Sequence, residues 1–133
     1  MRFSKYIAVD FDGTLVEDAF PEIGKEIPYA VDTVKFLIDC GHKVILHTSR
    51  THYIYEGHDT LAEAEQWCKD KGIELYAVND NPECREKYFK QTKVYADFYI
   101  DDHSFGIALL NGYVDWRPIR NYFETLKRLE KQL

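Results

Sequence analysis

Four short apolar runs, separated by segments of helical spacing, constrain this chain more than any other feature. They are Lys5 to Val9, Lys43 to His47, Ile73 to Val78, and Val94 or Tyr95 to Ile100. Each is short and apolar enough for a buried strand. Between the first two, Ile27, Ala30, Val31, Val34, Leu37 and Ile38 fall at helical spacing. Pro28 suits the first turn of that helix, where its missing N–H is harmless, and Gly41 closes it. A second helix, capped by Asp59 or Thr60, buries Leu61, Ala64, Trp67 and Cys68 and ends at Gly72. A shorter helix covers Glu83 to Lys90. Val16 to Glu26 reads as a loop or short hairpin and Tyr53 to His58 as a loop. Ile107 to Val114 reads as a hairpin around Asn111-Gly112. A last helix, capped by Asp115, carries Trp116, Ile119, Phe123, Leu126, Leu129 and Leu133 on one side. Alternating strands and helices predict an α/β fold: a Rossmann-like parallel sheet with helices on both faces, a three-layer sandwich. The 133 residues fit one domain, 1–133.

A parallel sheet brings the carboxyl ends of its strands to one edge, where open α/β sheets place their ligands. Strands one, two and four each end there in a polar cluster: Asp10 and Asp12, Thr48-Ser49-Arg50, and Asp101-Asp102. An isolated Asp-x-Asp-Gly also suits a β-turn. Here an apolar lead-in and Thr14-Leu15 surround it, and residues i and i+2 of an extended chain point the same way. Several carboxylates in one crevice require a cation or a shared proton. Few oxygen ligands with retained waters suit Mg²⁺ better than Ca²⁺. No paired His/Cys spacing points to zinc.

The chemistry that follows is phosphoryl transfer to a carboxylate. Asp10 would attack phosphorus and form an aspartyl phosphate. Asp12 would protonate the leaving oxygen and later deprotonate water. Thr48 would donate to a phosphoryl oxygen, and a lysine would balance the charge. Gly13, Thr14, Ser49 and Arg50 are the candidate substrate contacts, Arg50 because its fork suits phosphate.

Composition narrows the partners. Net charge is −6, which argues against a nucleic-acid or membrane-surface binder. It leaves a small phosphorylated substrate open, since a bound cation reverses the local field. Cys40, Cys68 and Cys84 are odd in number and widely spaced, as expected of reduced buried thiols in a cytoplasmic protein. The first residues lack the apolar stretch of a signal peptide, and no run approaches a membrane span.

Asp10-Phe11-Asp12-Gly13-Thr14-Leu15 resembles the first motif of the haloacid dehalogenase-like superfamily, whose members are mostly Mg²⁺-dependent phosphatases. Val44-Ile45-Leu46-His47-Thr48-Ser49-Arg50 resembles the second motif, and Tyr99-Ile100-Asp101-Asp102 the fourth. The resemblance implies Asp10 as nucleophile and metal ligand. It implies Asp12 as general acid/base, with its backbone carbonyl on the metal. Asp101 would be the direct acidic ligand, with Asp102 beside it or orienting the lysine. An acid at Asp12 is the phosphatase pattern. For the motif lysine the candidates are Lys87, Lys90 and Lys93. Lys93, in Thr92-Lys93-Val94-Tyr95-Ala96-Asp97-Phe98-Tyr99-Ile100-Asp101-Asp102, resembles a pattern of small sugar- and capsule-biosynthesis phosphatases, with Val94 where that pattern has Pro.

Between Asp10 and Thr48 the first helix takes about a third of the interval. Between the third strand and Lys93 only a short helix fits. The resemblance is therefore to a member with no cap domain, which acts on large substrates or covers its site by forming a homo-oligomer. A phosphorylated sugar, a nucleotide or a phosphoprotein is the expected substrate. Two other readings compete: a catalytically silent module of the same fold that binds a metal or phosphometabolite, and a receiver-like phosphoacceptor. A receiver places its phosphoacceptor on strand three, which here ends in Asn79-Asp80. His47, His52, His58 and His103 are irregularly spaced and read as rim or surface groups. Tyr53 and Tyr55 read as loop aromatics or as a stacking platform.

Overall fold

The computed structural model describes residues 3–87 and 92–132. Its elements run β1 (Tyr6–Val9), α1 (Ala30–Asp39), β2 (Lys43–Leu46), β3 (Ile54–Tyr55), β4 (His58–Asp59), α2 (Thr60–Asp70), β5 (Ala77–Val78), α3 (Pro82–Lys87), β6 (Phe98–Ile100), β7 (Leu109–Leu110), β8 (Tyr113–Val114) and α4 (Trp116–Lys131). β5, β2, β1 and β6 form a parallel sheet in that order, flanked by helices. β1 and β2 are the inner strands. Both their faces are covered, so they read as continuous apolar runs rather than alternating ones.

The register sorts the two faces. Ile7 pairs with Val44 and Phe98, and Val9 with Leu46 and Ile100. These residues join the main core with Val34 and Leu37 of α1, Ala64 and Cys68 of α2, and Trp116 and Phe123 of α4. On the other face stand Tyr6, Ala8, Ile45 and Tyr99. There the Tyr6 hydroxyl donates to Glu83 of α3, which also accepts from Lys43 Nζ at 2.8 Å. The Tyr99 hydroxyl donates to the Val94 carbonyl at 2.6 Å, tying β6 to the 92–97 segment.

Several boundaries differ from the sequence reading. α1 starts at Ala30, because Tyr29 sits at φ 68 in the left-handed region and holds Pro28 outside the helix. Its end is as expected. Gly41 takes φ 92, its N–H donates to the Ile38 carbonyl at 2.9 Å, and His42 N–H donates to the Leu37 carbonyl at 3.1 Å. This double bond to the last turn needs a left-handed residue. Asp59 caps α2 by accepting from Ala62 N–H at 2.9 Å.

The third strand is only Ala77–Val78, since Ile73 turns into the core as the chain leaves α2. The fourth begins at Phe98, because the Asp97 carboxylate already accepts Tyr6 N–H at 2.8 Å. The stretch expected as a loop around Tyr53 contains the β3–β4 hairpin, turning on Glu56 and Gly57, both at positive φ. The expected hairpin around Asn111-Gly112 is β7–β8. In α4, Leu129 is half exposed rather than part of the core. The expected positions 88–90 of α3 and Leu133 of α4 lie outside the described residues. All three cysteines are buried and free. Among the described residues no helix is long and apolar enough to cross a membrane.

Candidate active site

β1 delivers Asp10 to the carboxyl edge of the sheet, where its N–H still donates to the Ile100 carbonyl of β6 at 3.0 Å. The chain then folds into one tight turn, with Leu15 N–H donating to the Phe11 carbonyl at 2.9 Å and Gly13 N–H to the Val16 carbonyl at 2.7 Å. Gly13 lies at φ 85, and a Cβ there would stand 2.2 Å from Asp102 Oδ2. Only glycine lets the Asp102 carboxylate sit against the turn.

Thr14 is fully buried beneath the carboxylates. Its hydroxyl donates to Asp10 Oδ2 at 3.0 Å and accepts from Asp102 N–H at 3.2 Å. One side chain thus sets the position of Asp10 against the acidic pair after β6. The Thr14 carbonyl accepts from the indole N–H of Trp116, the first residue of α4, at 2.8 Å. Burial, the Asp101 charge and the Asp102 carboxyl raise the pKa of Asp10 to about 8, against the opposing Thr14 hydrogen bond. Like charges crowded in a half-buried site cannot all ionise. Carboxylate and ring atoms of Asp101, Asp102 and His103 also come within 4.8 Å of one another. A set dominated by carboxylate oxygens, short of positive charge, fits a hard divalent cation.

β2 ends in Thr48. Its N–H donates to Asn79 Oδ1 at 2.8 Å, and its hydroxyl accepts from Arg50 N–H at 3.1 Å. The hydroxyl proton is thereby left to donate elsewhere. Asn79 is held at φ 49 at the end of β5, a conformation Asn tolerates better than most residues. Ser49 is exposed beside Thr48.

Arg50 is where the site departs most from the sequence reading. It is 2% exposed and does not face an open substrate edge. Its Nε and Nη2 donate to the two carboxylate oxygens of Asp12, each at 2.8 Å. Nη2 also donates to the Glu22 carbonyl, and Nη1 to the carbonyls of Pro21 and Thr60. A guanidinium has five N–H donors, and all five are accounted for, so none is left for a substrate anion. Two other expected substrate contacts are corrected in the same way. Gly13 N–H already serves Val16, and Thr14 is sealed under Asp10.

Lys93 is exposed, and its ammonium lies 4.9 Å from the Tyr99 ring centre. It lines a cavity of about 210 Å³ together with Asn79, Asp80, Arg85 and Thr92, beside the strand end that holds Thr48. Lys87 closes α3, and Lys90 lies outside the described residues. The structure therefore brings Asp10 close to the Asp101-Asp102 pair, with Thr14 bonded to Asp10 and to Asp102 N–H. It links Asp12 and Thr48 through Arg50, and leaves Lys93 to one side. The bridging by Thr14, the Asn79 bond to Thr48 and the Trp116 bond were not read from the sequence. The only hint was that Thr14 and Asn79 follow strand ends.

No protein-family model matches the chain, and no curated protein matches it. A solved structure does: the conserved protein coded by a locus of Bacteroides thetaiotaomicron. It is 41% identical, superposes with a TM-score of 0.74, and the match covers 92% of this chain and 91% of that one.

Proposed function

The chain belongs to the same family as the conserved Bacteroides thetaiotaomicron protein, and from the chemistry of its own residues we propose that it is a Mg²⁺-dependent phosphomonoester hydrolase. On this reading it is a capless member of the haloacid dehalogenase-like superfamily with a three-layer core. The observation that carries the reading is the carboxylate trio. The buried Thr14 hydroxyl donates to Asp10 and accepts from Asp102 N–H, and burial together with the Asp101 charge raises the pKa of Asp10 to about 8. An arrangement that unfavourable is expected of a site built for a cation rather than for stability.

The carboxylates of Asp10, Asp101 and Asp102 and the Asp12 carbonyl would hold Mg²⁺. When bound, the ion would offset phosphoryl charge so that a carboxylate can approach an anionic ester. An Asp10 oxygen attacks phosphorus as the bond to the ester oxygen breaks. The electron pair stays on that oxygen, which takes a proton from the Asp12 carboxyl and leaves as the alcohol. Water then attacks the aspartyl phosphate and gives its proton to Asp12. Inorganic phosphate departs and the Asp10 carboxylate is restored. The Thr48 hydroxyl donates to a phosphoryl oxygen throughout. Lys93 would be the balancing cation and would have to turn from Tyr99 to serve.

Besides α1 and β2, the first two polar clusters are separated only by a loop closed by the Val16–Glu26 bridge and by the entry to α1 at Tyr29. That supports the capless reading. A phosphosugar or nucleotide suits a shallow acidic protein better than a nucleic acid does. A cytoplasmic location, and coverage of the site by a second copy, are part of the same proposal. One observation favours the alternative of a silent binding module: both Asp12 oxygens accept from Arg50. A phosphomonoester panel with Mg²⁺ decides between them, with Asp10→Asn as the blank. Turnover by the wild type alone supports the hydrolase. Binding of Mg²⁺ without turnover of any ester supports the module.

A further inference from the structure

We propose that Arg50 is a positioning residue for proton transfer: it fixes the Asp12 carboxyl so that its remaining lone pairs face the leaving group. This rests on the hydrolase reading above. Four observations support it. The guanidinium holds both Asp12 oxygens in a two-bond fork at 2.8 Å each. It is itself held by three backbone carbonyls from two separate segments, Pro21 and Glu22 before α1, and Thr60 at the start of α2. Its central carbon lies 5.0 Å from the centre of the Phe11 ring and 5.2 Å from that of Phe20. And its own N–H donates to the Thr48 hydroxyl at 3.1 Å. The residue between the second strand end and the rim therefore orients two groups of the reaction, the acid/base and the hydroxyl that donates to the phosphoryl oxygen.

The alternatives fit less well. A substrate contact needs a free donor, and all five are engaged. A surface ion pair is exposed and mobile, whereas this guanidinium is buried. Each carboxylate oxygen has two lone pairs. The fork takes one from each and leaves one from each, so Asp12 keeps a lone pair on either oxygen for the leaving group while its plane is fixed. A lysine could keep the charge but not the fork.

A purely structural role would depress every substrate alike, and a positioning role would not. The leaving oxygen of an alkyl phosphate needs a proton as the P–O bond breaks. A para-nitrophenolate, already a stable anion, does not. The test is Arg50→Lys in the full chain with Mg²⁺, assayed on para-nitrophenyl phosphate and on the best alkyl phosphate of a panel. We expect the pre-steady-state rate of alcohol release, which reports the leaving-group step alone, to fall on the order of 100-fold for the alkyl ester and by less than about 5-fold for the aryl ester, while the later water attack slows alike for both. In an Asp12→Asn background the same substitution should change neither rate. Equal losses on both esters, or an Arg50 effect that persists without the Asp12 acid, overturn the proposal and leave the hydrolase reading standing. If the wild type hydrolyses neither ester, the hydrolase reading fails and this one with it. Should Arg50→Lys not fold by circular dichroism, Phe20→Ala removes one wall of the guanidinium from an exposed position. It should shift the alkyl-to-aryl rate ratio in the same direction, and an unchanged ratio overturns the proposal.

Discussion

Replacing Asp10 by Asn should make the protein more stable at neutral pH when a chelator is present, although Asp10 is the proposed nucleophile. In the folded chain Asp10 keeps its proton to about pH 8, and in the unfolded chain only to its ordinary value of 3.8. Between those values the folded state binds more protons than the unfolded one. Stability therefore falls as pH rises through that window. Carried in full, a shift of that size would be worth on the order of 5 kcal/mol above pH 8. Asp10 keeps some contact with water and shares its proton with neighbouring carboxyls, so about 2 kcal/mol is the working figure near pH 7.5. The amide put in place of the carboxyl carries no charge and can still accept from the Thr14 hydroxyl. For a chain of this size the variant should melt roughly 6–10 °C above the wild type at pH 7.5 in chelator. The gap should close toward pH 4.5, where proton uptake by the unfolded chain catches up with that of the folded one. Added Mg²⁺ should raise the wild type and narrow the gap from the other side, as binding to the native state alone does. Thermal melts at four or five pH values, with chelator and with Mg²⁺, make the measurement. A gap that does not change with pH, or a variant that melts below the wild type at pH 7.5, would refute the crowded-carboxylate reading.

Gly13→Ala should cost about 2 kcal/mol or more, because the backbone sits at φ 85 and the new methyl would meet Asp102 Oδ2. Its melt should drop and its Mg²⁺ affinity, read by calorimetry, should weaken. Thr14→Val keeps the volume but removes the hydroxyl between Asp10 and Asp102, costing on the order of 1–3 kcal/mol for the orphaned Asp102 N–H. Denaturant melts and kcat should both fall. Asn79→Gly keeps the left-handed backbone and removes only the acceptor of Thr48 N–H. Folding should change by about 1 kcal/mol while kcat falls several-fold, the mark of a displaced hydroxyl donor to the phosphoryl oxygen.

The inner strands and the carboxylate trio were legible for one physical reason. β1 and β2 are covered on both faces, so their apolar runs are unbroken, and a parallel sheet then places Asp10 and Asp101 at one edge. The outer strands misled because their flanks do other work: Ile73 packs into the core and Asp97 closes the start of β1. The entry to α1 was hidden because a left-handed Tyr29 has no signature in propensity. Arg50 was misassigned because spacing shows that an arginine follows Thr48 but not which acceptors surround it. Asp12, Pro21, Glu22 and Thr60 are brought to it only by tertiary packing. The motif lysine depends on the path of the chain just before Lys93, which no periodicity specifies.

The indole of Trp116 reaches across to the Thr14 carbonyl, and β6 completes the pairing of β1. Synthesis runs in the opposite sense to this construction. A nascent chain presents Asp10 and Asp12 well before the acidic pair and the indole have been made. Long-range closure of this kind comes late in folding. The proposed site is consequently completed only once the segment from Asp101 to Trp116 has joined it. A fragment ending before Trp116 would carry the proposed nucleophile without the helix that holds its turn in place.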